Sequence, residues 1–350
     1  MSKKILFLSL GVIVLAAVSG ANIAFYTRTW DPQWNPFRPS PEQALFAAVQ
    51  KMQEVKTFHS STKLTIDAKD QDQAAKFSIH SESDTDRAGG MDSRSQASFV
   101  VEVFAQGVSF AVEGEQRSMG TTSFLKITSI PPSLEPFLSL FGIQQNALVN
   151  QWIKIDMQEL MKFFGAQGGL PPEILQEQLQ KRQRFYESLS ELLNNEKFYE
   201  GREELKDEEI HGQKMYRYLF HVKLGEFLRE FVGRMFEELE EEGLSEQMEE
   251  QISRELQDMS KVIGDIPFEV WISRRDSLPY RIKMEKTLGP EELGQLNENS
   301  ENAGTVSILF QIDFSDFNRP VFIEAPEDAK NLQDILPLFN FSPPTVPLHP

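Results

Sequence analysis

Val306-Ser307-Ile308-Leu309-Phe310-Gln311-Ile312-Asp313-Phe314 places five apolar side chains at every second position, with Ser307, Gln311 and Asp313 between them. A period of two is the mark of a strand with one face in an apolar layer and the other in water. The pattern recurs upstream of this stretch. Tyr216, Tyr218, Phe220 and Val222 oppose Arg217 and His221; Phe268, Val270 and Ile272 oppose Glu269, Trp271 and Ser273; Tyr280, Ile282 and Met284 oppose Arg281, Lys283 and Glu285. Far upstream, Leu64, Ile66 and Ala68, then Phe77 and Ile79, then Phe99, Val101 and Val103, then Val108, Phe110 and Val112 alternate in the same way. Turn chemistry separates them: 86–93 with Gly89-Gly90, Gln106-Gly107, and the polar run 297–304. Strands joined by such short links pair antiparallel, because parallel pairs need long crossovers.

An apolar sheet face needs a cover, and the remaining periodicities are helical. Ser40-Pro41-Glu42-Gln43 reads as a helix start, with Ser40 as cap, Pro41 at the first helical position and Gln43 closing a capping box. Leu45, Ala48, Val49, Met52 and Val55 then share one face, and the helix should end near Lys56. Three further stripes follow: Leu175 to Leu193 after Pro171-Pro172, Leu224 to Leu239, and Met248 to Ile263 behind a Ser245 cap. The stretch 201–260 holds 8 basic and 17 acidic residues, net −9, which reads as the solvated side of these helices. The helices between 224 and 263 are expected either to cover the open side of the sheet and govern ligand entry, with Gly243 and Gly264 as hinges, or to be a fixed part of the core.

The 350-residue chain carries 35 basic and 53 acidic residues, a formal charge of −18. Clustered Lys and Arg hold phosphate backbones, so nucleic acid is not an expected partner. Cys is absent, which excludes disulfides, thiolate chemistry and an N-terminal lipidated cysteine. Lys3-Lys4 precede 21 uncharged residues, Ile5 to Phe25, enough for a helix across the hydrocarbon core. Tyr26 and Trp30 suit the interface beyond it, so a retained anchor is expected, with the rest of the chain extracytoplasmic. A cleaved signal peptide, with Val18-Ser19-Gly20-Ala21 as the site, is the alternative and gives secretion. The expected organisation is an anchor or signal peptide at 1–25, a Pro-rich linker at 26–40, a domain at 41–342 with a helical insertion at about 224–263, and a flexible tail at 343–350.

Catalytic patterns are missing. His59, His80, His211, His221 and His349 are scattered without metal-ligand spacing. Asp67, Asp70 and Asp72 lack the spacing and turn glycine of a calcium loop. The glycines at 165, 168 and 169 lead into Leu170 and two prolines, not into a Lys-Ser or Lys-Thr phosphate loop. No Gly-x-Ser-x-Gly elbow occurs. No enzyme activity, metal or cofactor is expected. What is left is shape: an apolar sheet face under amphipathic helices either packs solid or encloses an apolar hollow.

In order and in phrase, the chain resembles the LolA/LppX-like family of bacterial envelope proteins. The phrases are Met52-Gln53-Glu54-Val55-Lys56-Thr57-Phe58, Gln151-Trp152-Ile153-Lys154-Ile155-Asp156, Pro267-Phe268-Glu269-Val270-Trp271-Ile272 with Leu278-Pro279-Tyr280-Arg281, and Phe314-Ser315-Asp316-Phe317-Asn318 before Ala325-Pro326-Glu327-Asp328-Ala329. The resemblance spans roughly 41–330. It implies an α+β fold, a strongly curved antiparallel half-barrel wrapped around and covered by amphipathic helices, whose hollow holds lipid or lipoprotein acyl chains. The chain departs from the lipoprotein relatives in lacking a lipobox cysteine, and from soluble carriers in its expected tether. The candidate ligand-binding residues of such a hollow are Val49, Met52, Val101, Val103, Phe110, Phe227, Phe231, Val270, Ile282, Ile308 and Phe310. The expected partners are a lipid or acyl chain, the cytoplasmic membrane through residues 5–25, and an envelope protein. The competing expectation is an envelope interaction or sensor domain with a filled core.

Overall fold

Ser40 caps the first helix as its sequence predicts: its hydroxyl accepts from the Gln43 N–H at 3.3 Å while the Gln43 side chain accepts from the Ser40 N–H at 3.2 Å. This reciprocal pair satisfies two donors that a helix start leaves open. The computed structural model describes residues 35–70, 74–88, 93–140, 148–156, 184, 188, 191–192, 195–239, 246–296 and 304–335. The expected anchor at 5–25, the tail at 343–350, the Gly243 hinge and nearly all of the helix expected over 175–193 lie outside these residues. Among the described residues no helix is long and apolar enough to cross a membrane.

The described strands are β1 (Thr57–Lys69), β2 (Ala74–Asp86), β3 (Arg94–Ala105), β4 (Val108–Met119), β5 (Thr122–Ser129), β6 (Trp152–Asp156), β7 (Tyr199–Ile210), β8 (Gln213–Val222), β9 (Ile266–Ser273), β10 (Pro279–Leu288), β11 (Thr305–Ser315) and β12 (Lys330–Asn331). They form one sheet in the order β12-β6-β5-β4-β3-β2-β1-β11-β10-β9-β8-β7. Every pairing is antiparallel except the short β12–β6 contact. The described helices are α1 (Pro41–Glu54), α2 (Glu135–Leu140), α3 (Leu224–Leu239), α4 (Glu246–Ile263), α5 (Pro290–Leu296) and α6 (Leu332–Ile335). The architecture is α+β around a large unclosed sheet.

The strand stripes meet in register. Val112, Val101, Ile79, Leu64, Phe310, Met284, Phe268 and Phe220 form one row across eight strands. Phe110, Val103, Phe77, Ile66 and Ile308 form the next. Directly opposed residues share a face, so these rows make one continuous apolar surface. α1 lies on the β8–β9 end of it. Ala44 and Ala48, one turn apart, are buried against Tyr216, Tyr218, Phe220, Val270 and Ile272. Two alanines let the helix backbone come close to the sheet.

Two features differ from the sequence expectation. The acidic run from Gly201 onward does not begin in helix: Tyr199–Ile210 is the edge strand β7, irregular between Gly201 and Glu203 and between Leu205 and Glu208. Its charge hides its extended character, and charge on an edge discourages pairing with another chain. Trp271, expected on the wet face, is 3% exposed. It packs with Val55, Phe58, Ile210, Met215, Leu278 and Tyr280 in a second core. Its indole N–H donates to Glu208 at 2.8 Å, and the Arg217 and Arg281 guanidiniums lie over its ring.

Asn35 to Ser40, the last part of the expected linker, is bound to the domain. The Arg38 side chain is 2% exposed, ion-paired with Glu204 and Asp207, and stacked over Tyr216 at 4.5 Å. Arg274 shares Asp207 from the other side. The Tyr218 hydroxyl donates to the Pro39 carbonyl at 2.9 Å. On the polar face, His59 Nδ1 lies 2.8 Å from Asp84 and Nε2 lies 2.9 Å from Glu82. Ser61 donates to Glu82 at 2.7 Å and Gln96 to Asp84 at 3.0 Å.

Candidate functional site

α1 covers the sheet unequally. Ala44 and Ala48 touch it, Leu45 and Val49 are half-buried beside them, and Glu42, Phe46, Gln50 and Gln53 stand on the solvent side. The last four recur every three or four residues, so they form one stripe along the helix. Between that stripe and the sheet lies a groove of about 350 Å³, lined by those four residues with Leu45, Val49, Tyr199, Phe220, Phe268 and Ile282. From Glu42 to Gln53 its mouth runs eleven residues along the helix, roughly 16 Å at ~1.5 Å per residue.

The floor is aromatic. Phe220 and Phe268 stack with centroids 5.3 Å apart, and Tyr199 meets Phe268 edge-on at 5.9 Å. β8 and β9 bring Phe220 and Phe268 together as register partners, while Tyr199 of β7, opposite Val222, and Ile282 of β10, opposite Val270, stand one step off that pair. Burial pushes the Tyr199 phenol above its usual pKa, so it stays neutral. Glu42 is the one charged group among the lining residues, and its side chain lies against Gly201 of β7, where an added Cβ would collide with it. The groove therefore offers aliphatic and aromatic carbon within, and one carboxylate and two carboxamides at the rim. That set can hold an apolar body and hydrogen-bond its polar end. It has no nucleophile paired with a base.

Of the sequence-derived candidates, Val49 and Ile282 line the groove. Val270 is buried beneath α1, between Tyr218 and Ile282 in register. Met52 packs against the second core. Val101, Val103, Phe110, Ile308 and Phe310 share the apolar face but lie on β3, β4 and β11, where each is only half-buried. Phe227 and Phe231 stack on each other at 6.3 Å, and Phe227 meets the buried Phe198 edge-on at 5.6 Å. α3 also approaches α4, where Gly225 faces Ser260, and Gly264 ends α4 at φ +66° with its N–H bonded to the Ser260 carbonyl. Leu45, Phe220 and Phe268 line the groove without having been among the candidates, although their apolar positions were legible, and sequence reading missed Tyr199 and Phe46 altogether. Tyr199 belongs to the unrecognised edge strand, and Phe46 sits off the apolar stripe, so neither carried a periodic signal. Among the described residues no group of three or more His, Asp or Glu is placed to hold a metal.

No protein-family model matches the chain, and no curated protein matches it. Among solved structures it is similar to the Mycobacterium tuberculosis lipoprotein LppX, a namesake of the family that the sequence phrases resemble. That match is 10% identical, covers 81% of this chain and 97% of that one, and has a TM-score of 0.32. LprF from Mycobacterium bovis is 12% identical, with 83% and 99% covered and a TM-score of 0.39. A DUF1329 family protein from Desulfovibrio piger is 10% identical, with 82% and 96% covered and a TM-score of 0.21. At these TM-scores the likenesses carry no functional weight, and the groove has to carry it.

Proposed function

We propose that this chain is a non-enzymatic, membrane-anchored, extracytoplasmic domain that binds an apolar ligand, a lipid or an acyl chain, in the hollow of a curved half-barrel. The groove beside α1 carries the reading. An apolar cleft of about 350 Å³ floored by Phe220, Phe268 and Ile282 lies within the usual range for small-molecule sites. Its setting agrees: the apolar rows continue from the groove floor onto β11, β1, β2, β3 and β4, where they are half-buried. An extended ligand entering beside α1 has further apolar surface to follow. The uncharged run Ile5 to Phe25 is the proposed anchor, and it would hold the groove near a source of such ligands.

The test has two arms. Full-length protein extracted gently from its own membranes is analysed by native mass spectrometry for a bound lipid. Binding of the uncharged dye N-phenyl-1-naphthylamine is then compared with Val49→Trp, which fills the groove. A copurifying lipid, with dye binding lost in Val49→Trp at an unchanged melting temperature, is the expected result. No lipid and no dye binding would leave the interaction or sensor domain with a filled core.

A further inference from the structure

Glu42, alone in charge among the residues lining the groove, bears on what the ligand's polar end can be. Resting on the apolar-ligand reading, we infer that the groove selects a single-chain amphiphile with an uncharged, hydrogen-bonding end, such as an ester, amide or hydroxyl, and discriminates against fatty-acid anions. Size comes first. An apolar cavity of roughly 150 Å³ holds a benzene ring. The groove's volume of about 350 Å³ and its length of roughly 16 Å therefore suit one extended chain of roughly a dozen carbons.

Charge comes second. Carriers of fatty-acid anions need a cation or a cluster of N–H donors for the carboxylate. The described lining has neither Lys nor Arg. Glu42 stands at one end of the rim, roughly 12 Å along α1 from Gln50, so a carboxylate held at the carboxamides would feel its like charge at a distance, across low-dielectric walls. The rest of the molecule adds to this, with a net charge of −18. Nearby Arg202 is engaged by Glu200 at 3.0 Å and does not line the groove. The favourable polar groups are the Gln50 and Gln53 carboxamides, which both donate and accept and so match a neutral carbonyl or hydroxyl.

Displacement of the same uncharged dye from full-length protein separates the possibilities, using monolauroylglycerol and laurate below their micellar concentrations. The glycerol ester should displace the dye at about one-third the concentration laurate needs, a gap of the size expected for partly screened like charges roughly 12 Å apart. Glu42→Gln should shrink that ratio, Gln50→Glu should widen it, and added salt should narrow it in the wild type. Laurate displacing as well as the ester, or a ratio indifferent to Glu42→Gln and Gln50→Glu, would overturn the inference and leave apolar binding standing. Failure of the dye to bind at all would overturn both.

Discussion

Val270→Asp and Val101→Asp place the same charge on the same apolar face, and the structure gives them different costs. Val270 is 1% exposed, flanked in register by Tyr218 and Ile282, and belongs to the core that α1 closes with Ala44 and Ala48. Losing the valine forfeits about 1.5–3 kcal/mol of burial. A carboxyl there has no cation in its cluster and would have to take up a proton or force α1 away, adding a penalty of about 2–3 kcal/mol. The sum, about 4–6 kcal/mol, approaches the whole stability of an ordinary domain. Val101, between Ile79 and Val112, keeps part of its surface in water, so its carboxylate can stay solvated at a cost of about 1–2 kcal/mol. Urea unfolding followed by tryptophan fluorescence, to which the buried Trp271 contributes, measures both. Costs within about 1 kcal/mol of each other would mean that the two ends of the apolar face are covered alike, and the division drawn between β8–β10 and β2–β4 would fail.

Other outcomes follow from single contacts. His59 faces Asp84 and Glu82 with both ring nitrogens; burial pulls its pKa down, but hydrogen bonds to both carboxylates outweigh this and raise it above 6.5. A raised folded pKa stabilises fully below about pH 6.5, and the benefit is lost as pH climbs through the raised value. The melting-temperature gap between wild type and His59→Gln should therefore close between about pH 5 and about pH 9; a constant gap would show that charge is not involved. Gly114→Ala should cost about 1–3 kcal/mol, since the new Cβ would stand 2.8 Å from the Lys126 carbonyl and collide with Phe99. Gly233→Ala, in α3 with open space around it, should gain about 0.5–1 kcal/mol in the same thermal melts. Arg38→Ala strips Glu204 and Asp207 of a buried cation and should cost about 3 kcal/mol by urea unfolding, with a cost under about 1 kcal/mol arguing against the clamp.

How much of this was legible depended on whether the signal was local. The stripe from Val306 to Phe314 and the cap at Ser40 are written within a few residues, and the strand and the helix start both form where they are read, although the strand is half-buried on both faces. β7 was illegible because Glu200 to Glu209 put charge where alternation would show, as an edge strand tolerates. Trp271 obeyed the alternation and still became buried, because Ile210, Met215 and Leu278 arrive from other strands and connections to cover it. The groove is less local again. Leu45, Val49, Phe220, Phe268 and Ile282 were all visible as apolar positions, but which of them border a space depends on where α1 settles, and that is decided by Ala44 and Ala48 fitting against Tyr216 and Tyr218. Periodicity reports which face of an element is apolar and says nothing of how closely the partner approaches.

The clamp around Arg38 has a mechanical consequence. A pull on the chain ahead of Asn35 enters the domain through Arg38 and Pro39, before it reaches α1. Arg38 passes the load to Glu204 and Asp207 of β7, and Pro39 passes it to Tyr218 of β8. Those strands pair on both sides of the irregularities at Arg202 and at Lys206-Asp207, so the tension is spread over several backbone bonds working together. Without the clamp the same tension would peel α1 from the sheet one turn at a time, starting at the wall of the groove. Traction on the N-terminal segment thus spares the helix that shapes the binding surface.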